Sequence, residues 1–196
     1  MAVMFVLFVG STIAGQANLE QKHMVFDRIL LSNRPPLLYL GSKAIAAASI
    51  VLIQLTLLFG LSALIFQTFS ADSWSFWFGI ALISVVLSLA VGCLAALMTS
   101  LTLRLQSDAV PAIFSGGVIA LMAFVGGSFM PMDGMPETLR IIGNWTPNGA
   151  ALSAYFSWLL ESDTSQLAGP LTRIGISALL FLLVALALFP KKGGVL

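Results

Sequence analysis

Side chains able to carry out catalysis or bind metal are scarce in this chain. Its 196 residues include one histidine, His23, and one cysteine, Cys93, so neither a histidine-based metal cluster nor an internal disulfide can form. No glycine-rich loop ends in Gly-Lys-Ser or Gly-Lys-Thr, the sequence that cradles nucleotide phosphates. No charged residue lies near the middle of a long apolar segment, where an ion-coupled carrier or an intramembrane hydrolase needs one. The chain is therefore predicted to be no enzyme, to bind no metal and to have no ATP site of its own.

One polar segment, residues 18–43, collects many of the charged side chains. Nine lysines and arginines and eight aspartates and glutamates are all that the sequence contains. Six of them lie in this segment: Glu20, Lys22, Asp27, Arg28, Arg34 and Lys43. His23 also lies here, where it is predicted to be solvated rather than a ligand. Both signs of charge are present, which favours docking of a soluble protein, since a lipid-binding face is more uniformly basic.

The stretch from Leu19 to Leu31 is predicted to be an amphipathic helix. Helical spacing places two sets of side chains mainly on opposite sides: Lys22, Val25, Phe26, Ile29 and Leu30 against Glu20, Asp27 and Arg28. Pro35 then interrupts the helix, and Pro36 suits the first turn of the next one. Two interpretations stay open, an interfacial helix on anionic headgroups and a docking helix for a soluble partner.

Composition identifies an integral membrane protein. Hydrophobic residues make up 59% of the chain and charged residues 9%, with a mean hydropathy of +1.02, whereas about a quarter of the residues of soluble domains are charged. A net charge of +1 provides no field that would attract nucleic acid, so nucleic-acid binding is excluded as a function.

Apolar runs long enough to cross a bilayer predict an all-α fold in a single transmembrane domain, residues 1–196. A span needs about 20 mostly apolar residues as a helix, because backbone polar groups in lipid must be bonded internally. Five segments qualify: residues 1–17, 44–69, 74–100, 109–130 and 171–190. Gln54 and Thr56 are among the few polar side chains inside a span, and they are predicted to form hydrogen bonds between helices.

The distribution of positive charge predicts the orientation. If residues 18–43 face the cytoplasm, seven lysines and arginines lie inside and only Arg140 and Arg173 lie outside, as the positive-inside rule requires. The N-terminus is then external and the C-terminus cytoplasmic. Met1 begins an apolar run with no positive residue before it, which fits no signal peptide, so we expect the chain to lack a preceding segment.

The region between the last two predicted spans, residues 131–165, is too apolar for an open loop. Pro136 and Pro147 can each begin a helix too short to cross the membrane. Both helices are predicted to dip into the outer leaflet and return. Residues around this bend are candidates for an external gate: Gly126, Gly127, Phe129, Pro131, Pro136 and Pro147.

Three features together resemble the membrane subunit of a type-2 ABC exporter, a class that includes bacterial drug and antibiotic exporters such as the linearmycin-resistance permeases. The first is "EQKHMVFDRILLSNRPPLLYLGSK", similar to that family's charged helix followed by Pro and Gly-x-Lys. The second is "GGSFMPMDGMPETLRIIGNWTPNGAALSAYFSWL", which resembles its Gly-Gly-x-Phe-x-Pro, Met-Pro and downstream Pro signature. The third is the hydropathy order with a terminal lysine pair. Family halves have six spans, with a first helix and often an external domain ahead of the region seen here.

The resemblance implies an ATP-driven exporter in the bacterial plasma membrane. A separate ATPase subunit would bind ATP and Mg²⁺, and this chain would pair with a second permease half, identical or different, to export a hydrophobic or amphipathic compound such as a drug or a lipid. Residues 20–31 would be the coupling helix in a groove of the ATPase subunit. We expect apolar contact and register from the docking set, which lies in this helix and, for its last member, just after it: Glu20, Lys22, Val25, Phe26, Asp27, Arg28, Ile29, Leu30 and Arg34.

Two other functions are alternatives to transport. A membrane scaffold or a polymer-modifying membrane protein could use the same polar segment to bind a different cytosolic partner. A passive channel is disfavoured, because no predicted span carries a polar stripe. Membrane lipid would surround the chain in each case.

Overall fold

The computed structural model describes residues 2–24, 26, 28, 35–66, 74–107, 109–130, 134–161 and 164–190. Every regular element within these ranges is a helix, which confirms the predicted all-α fold. The elements are α1 (Ala2–Lys22), α2 (Pro36–Phe66), α3 (Trp74–Leu105), α4 (Ala109–Ile113), a π-helical turn (Phe114–Val118), α5 (Ile119–Val125), α6 (Glu137–Trp145), α7 (Pro147–Glu161), a 3₁₀ turn (Thr164–Leu167) and α8 (Ala168–Leu188).

Proline begins several of these helices where the sequence predicts it. Pro36 is the first residue of α2 and Pro147 the first of α7, while Pro136 directly precedes α6. Proline suits a first turn because its φ is fixed at a helical value. The N–H group that it lacks would have no hydrogen-bond acceptor within the helix at this position. Thr146 caps α7, since its Oγ1 accepts a hydrogen bond of 3.1 Å from the backbone N–H of Gly149.

Four of the described helices are long and apolar enough to cross a membrane, namely α1, α2, α3 and α8. The segment Ala109–Val125 forms a shorter apolar helix with the π-helical turn in its middle. It ends at Val125, before the predicted limit of residue 130, because Gly126 and Gly127 form a turn. Helix α2 begins at Pro36, before the predicted start of its span at residue 44, and α3 ends at Leu105, after the predicted end of its span at residue 100. Helical hydrogen bonding continues into more polar sequence at both places.

The core is built around α3, which packs against α1, α2 and α8. Close approach of α2 depends on Gly92 of α3, where a Cβ atom would lie 2.4 Å from the carbonyl oxygen of Ala44. Small residues at such crossings let two helix backbones approach, as in other membrane bundles. The two ends of α3 contact different parts of the chain. One end contacts α7, and the other contacts the polar segment.

Helix α7 lies against the first half of α3. Trp158 packs over Gly79, whose absent Cβ would lie 2.1 Å from the indole ring, and its Nε1 donates a 2.9 Å hydrogen bond to the carbonyl oxygen of Phe76. One turn earlier, the hydroxyl of Tyr155 lies 2.8 Å from Oγ of Ser84. Two aromatic side chains thus fix α7 to α3 at the end of the bundle opposite the polar segment, which we call the far end.

Candidate functional site

The polar segment, residues 18–43, is called the elbow from here on. Helix α1 continues into it as far as Lys22, and the chain then turns at His23 and Met24. Met24 has a φ of 56°, a left-handed conformation that is usually taken by glycine at helix ends. The predicted single helix from Leu19 to Leu31 is therefore wrong, because the backbone breaks at Met24. Beyond the break, Phe26 and Arg28 are again helical.

Glu20 joins the end of α1 to the start of α2. Its Oε2 accepts a 2.7 Å hydrogen bond from the hydroxyl of Tyr39, and its Oε1 forms an ion pair with Nζ of Lys43. Tyr39 and Lys43 lie one turn apart on α2, where side chains at i and i+4 are neighbours, and Nζ of Lys43 is 5.6 Å from the centre of the Tyr39 ring. The Lys43 side chain is only 12% exposed. This polar clamp of Glu20, Tyr39 and Lys43 holds the two helices together.

Phe26 anchors the elbow to the bundle by an aromatic cluster. Its side chain is 1% exposed, and its ring centre lies 5.6 Å from that of Tyr39 and 6.0 Å from that of Phe189, both in edge-on geometry. Alanines and leucines of α1, α2, α3 and α8 enclose the cluster: Ala17, Leu40, Ala96, Leu103 and Ala185. Phe26 was predicted to supply apolar contact to a partner; its ring is instead packed inside the chain's own helix bundle.

Exposed side chains form a small outer surface on the elbow, made of Lys22, His23, Met24 and Arg28. Met24 is 67% exposed, so the turn presents an apolar side chain among basic ones. His23 is exposed, as predicted. Five of the predicted docking residues lie outside the described residues, and their roles stay predictions: Val25, Asp27, Ile29, Leu30 and Arg34.

The structure divides the predicted docking residues by direction. Glu20 and Phe26 face the bundle, where they bind α2 and the end of α8. Lys22 and Arg28 face outward. Helical periodicity alone could not reveal this division, since the same apolar spacing serves a partner's groove or the chain's own core. Tyr39, Lys43 and Phe189 were not predicted as site residues, although a tyrosine and a lysine at i and i+4 near a glutamate were a usable signal.

The predicted gate residues gather only in part at the far end. A Cβ atom on Gly126 would lie 2.7 Å from the carbonyl oxygen of Met122 and 2.8 Å from Nδ2 of Asn148, so α7 begins in close contact with this turn. Gly127 has a φ of 80°, which glycine adopts readily. Nδ2 of Asn148 donates a 2.7 Å hydrogen bond to Oγ of Ser128. Pro147, next to Asn148, is also buried.

The other gate candidates lie away from this contact. Phe129 is 52% exposed and Pro136 is exposed, while Pro131 lies outside the described residues. The far-end contacts of Tyr155 and Trp158 with α3 were missed by the sequence reasoning. Their spacing of three residues on one helix face was the available signal, but it did not show which glycine or serine they meet.

Long apolar helices joined by a clamped polar elbow define a polytopic helical membrane protein. Residues 1–187 match the family model described as ABC-2 family transporter protein. The chain belongs to this family, whose members are the membrane components of ABC transporters and in general work as paired permeases with an ATPase partner. No curated protein and no solved structure gives a match.

Proposed function

We propose that this chain is one permease half of an ATP-driven exporter, and that the elbow is the point at which a separate ATPase subunit pushes on it. Family membership supports a transporter permease. The finer assignment is supported by the elbow, whose outer surface is exposed and mainly basic, while its inner side chains join the ends of three spans.

The observation that carries the proposal is the double attachment of the elbow. Glu20 links the end of α1 to Tyr39 and Lys43 of α2, and Phe26 links the turn to Phe189, which follows α8. A displacement of the elbow must therefore move the ends of α1, α2 and α8 together. Rigid movement of packed helices is the usual route by which local contacts produce a global change.

The proposed substrate is hydrophobic or amphipathic, and its path lies beside the bundle. Helix α3 is enclosed by α1, α2 and α8, so the space for a substrate is between two halves rather than within one. The proposed orientation places the elbow in the cytoplasm of a bacterial cell and α6 and α7 in the outer leaflet. Exposed apolar residues of α6 support that position, since Ile141, Ile142 and Trp145 are each more than half exposed.

Co-purification and transport test the proposal together. The tagged chain is co-expressed with an ABC ATPase subunit and purified in detergent, and inside-out vesicles are tested for ATP-dependent uptake of an amphipathic fluorescent dye. We expect the ATPase subunit to co-purify and uptake to stop when its catalytic glutamate is replaced. Absence of the ATPase subunit from the purified complex, with no ATP-dependent uptake, would overturn the assignment.

A further inference from the structure

The helical segment from Ala109 to Val125 is interrupted in its middle by the π-helical turn, Phe114–Val118. At the end of this turn the backbone N–H of Ile119 donates its hydrogen bond to the carbonyl oxygen of Phe114, five residues earlier instead of four. Such turns are rare, occur mostly as single turns inside α-helices, and are frequently found at functional sites. We call this turn the joint between α4 and α5.

The joint aligns the buried sides of the two helices that it connects. Val110 of α4 and Ile119 of α5 are both buried, and they lie nine residues apart. In an unbroken α-helix nine residues make about two and a half turns, which would place these side chains on opposite sides. The extra residue taken up by the joint reduces the rotation to about two and a quarter turns. Each helix thus has its buried residue on nearly the same side.

Close packing does not explain the two glycines of the joint. None of its five residues is buried, although Phe114 packs partly against the core. A Cβ atom on Gly116 or Gly117 would meet no atom of the described chain within 4 Å. Gly79 and Gly92 differ, since a Cβ atom there would overlap a neighbouring helix. The two glycines of the joint therefore affect the backbone itself and not its distance from another element.

Two causes of helix bending coincide at the joint. Sharp kinks arise at π-helical turns and at Gly and Ser pairs, and Ser115 directly precedes Gly116. The hydroxyl of Ser115 donates a 3.1 Å hydrogen bond to the carbonyl oxygen of Ala112, and side-chain bonds of this kind compete with those of the helix itself. Glycine also weakens a helix interior relative to alanine. The backbone is therefore easier to bend at the joint than in the α-helical turns on either side.

The two sides of the joint are attached to different ends of the bundle. Helix α4 follows the elbow end of α3 and contacts α1 and α3, whereas α5 contacts α6 and α7. The turn after α5 also lies against α7, where Gly126 meets Asn148. Because Tyr155 and Trp158 fix α7 to the first half of α3, α5 is held at the far end.

We propose that the joint is a hinge, which lets α4 move with the elbow end of the bundle while α5 stays fixed to the far end. Hinges are a few residues at the ends of elements that absorb changes in φ and ψ, and the joint lies between the ends of two helices. The inference rests on the proposed function only for the force that moves α4. The hinge itself is a property of this chain alone.

Distances between two spin labels test the hinge in the purified chain without an ATPase subunit. In a Cys93→Ala background, Ala109→Cys and Leu121→Cys place labels at exposed positions on either side of the joint, about 18 Å apart along the helix. Ile45→Cys and Leu57→Cys form the matched control pair, since they are exposed and equally far apart on the unbroken helix α2. Labelled copies are diluted with unlabelled ones, so that only distances within one chain are measured.

We expect the distance distribution across the joint to be broader than that of the control pair. Replacing Gly116 and Gly117 by alanine should narrow it to the control width without lowering Tm, because the added Cβ atoms meet no atom of the described chain and alanine favours a regular helix. A wild-type distribution across the joint as narrow as that of the control pair would overturn the hinge, whether or not the alanine variant folds.

Transport measurements separate the hinge from the proposed function. ATP-dependent uptake should fall about fivefold in the double alanine variant. It should stay unchanged in Gly60→Ala, a substitution on α2 where a Cβ atom also meets no described atom within 4 Å. Equal uptake by the wild type and the double variant would contradict a role for the joint in transport. If the wild type shows no ATP-dependent uptake, the proposed function fails, and the distance distributions alone decide whether the joint is a hinge.

Discussion

Replacement of Glu20 by glutamine tests the polar clamp with little change in shape. The glutamine keeps an oxygen that can accept the hydrogen bond from Tyr39, whose present length is 2.7 Å, but it loses the charge that pairs with Lys43. Because the Lys43 side chain is 12% exposed, its ammonium group is left largely buried without a counter-charge. Such a loss costs about 1–3 kcal/mol, between the values for exposed and fully buried pairs.

Thermal unfolding of the purified chain in detergent measures this cost. For a chain of this size, about 1–3 kcal/mol corresponds to a fall in apparent Tm of about 2 to 10 °C. The charge-swapped double variant, Glu20→Lys with Lys43→Glu, is expected to lose less stability than the sum of the losses in the two single variants. Strict additivity of the two single effects, or an unchanged Tm for Glu20→Gln, would refute the reasoning about the clamp.

Three further substitutions separate the inward and outward parts of the molecule. Phe26→Ala removes a ring that is 1% exposed and should lower stability by about 3–5 kcal/mol in a denaturation experiment; a neutral effect would show that the ring is not in the core. Gly79→Ala places a Cβ atom 2.1 Å from the indole ring of Trp158, so Tm should fall, and adding Trp158→Leu should restore part of the loss. Arg28→Glu should leave Tm unchanged, because Arg28 is exposed, yet weaken pull-down of the ATPase subunit relative to the control Arg140→Glu; equal pull-down would contradict a docking role.

The helices of this chain were largely predictable from its sequence. Apolar runs of sufficient length must be helical in a membrane, and prolines mark the starts of α2 and α7. The limits were less accurate, since hydropathy reports where lipid ends and not where helical hydrogen bonding ends. Helix α1 therefore runs on to Lys22 instead of stopping near residue 17.

The sequence did not predict which side chains of the elbow face the bundle and which face outward. A left-handed Met24 is unusual for a residue other than glycine, so no local signal predicted the break that turns Phe26 inward. The two partners of Glu20 follow it by 19 and 23 residues in the chain. They meet Glu20 only because the end of α1 lies close to the start of α2. Periodicity describes one helix at a time and carries no information about such contacts.

The same limit explains the far end of the bundle. Tyr155 and Trp158 were visible as aromatic residues on one helix, but their positions over Ser84 and Gly79 arise from the packing of α7 on α3, more than 70 residues away in sequence. Nothing in the sequence around Gly79 distinguishes it from other glycines. The structure shows that it must be a glycine, because a Cβ atom there would overlap the indole ring.

Side-specific labelling of the elbow is the most direct test of the proposed function. His23 is exposed, and His23→Cys in the Cys93→Ala background places one reactive thiol on the outer surface of the elbow. We predict that a membrane-impermeant maleimide labels this thiol in inside-out vesicles and not in intact cells, and that bound ATPase subunit protects it. Labelling from outside intact cells would contradict the proposal that the elbow receives force from a cytoplasmic ATPase.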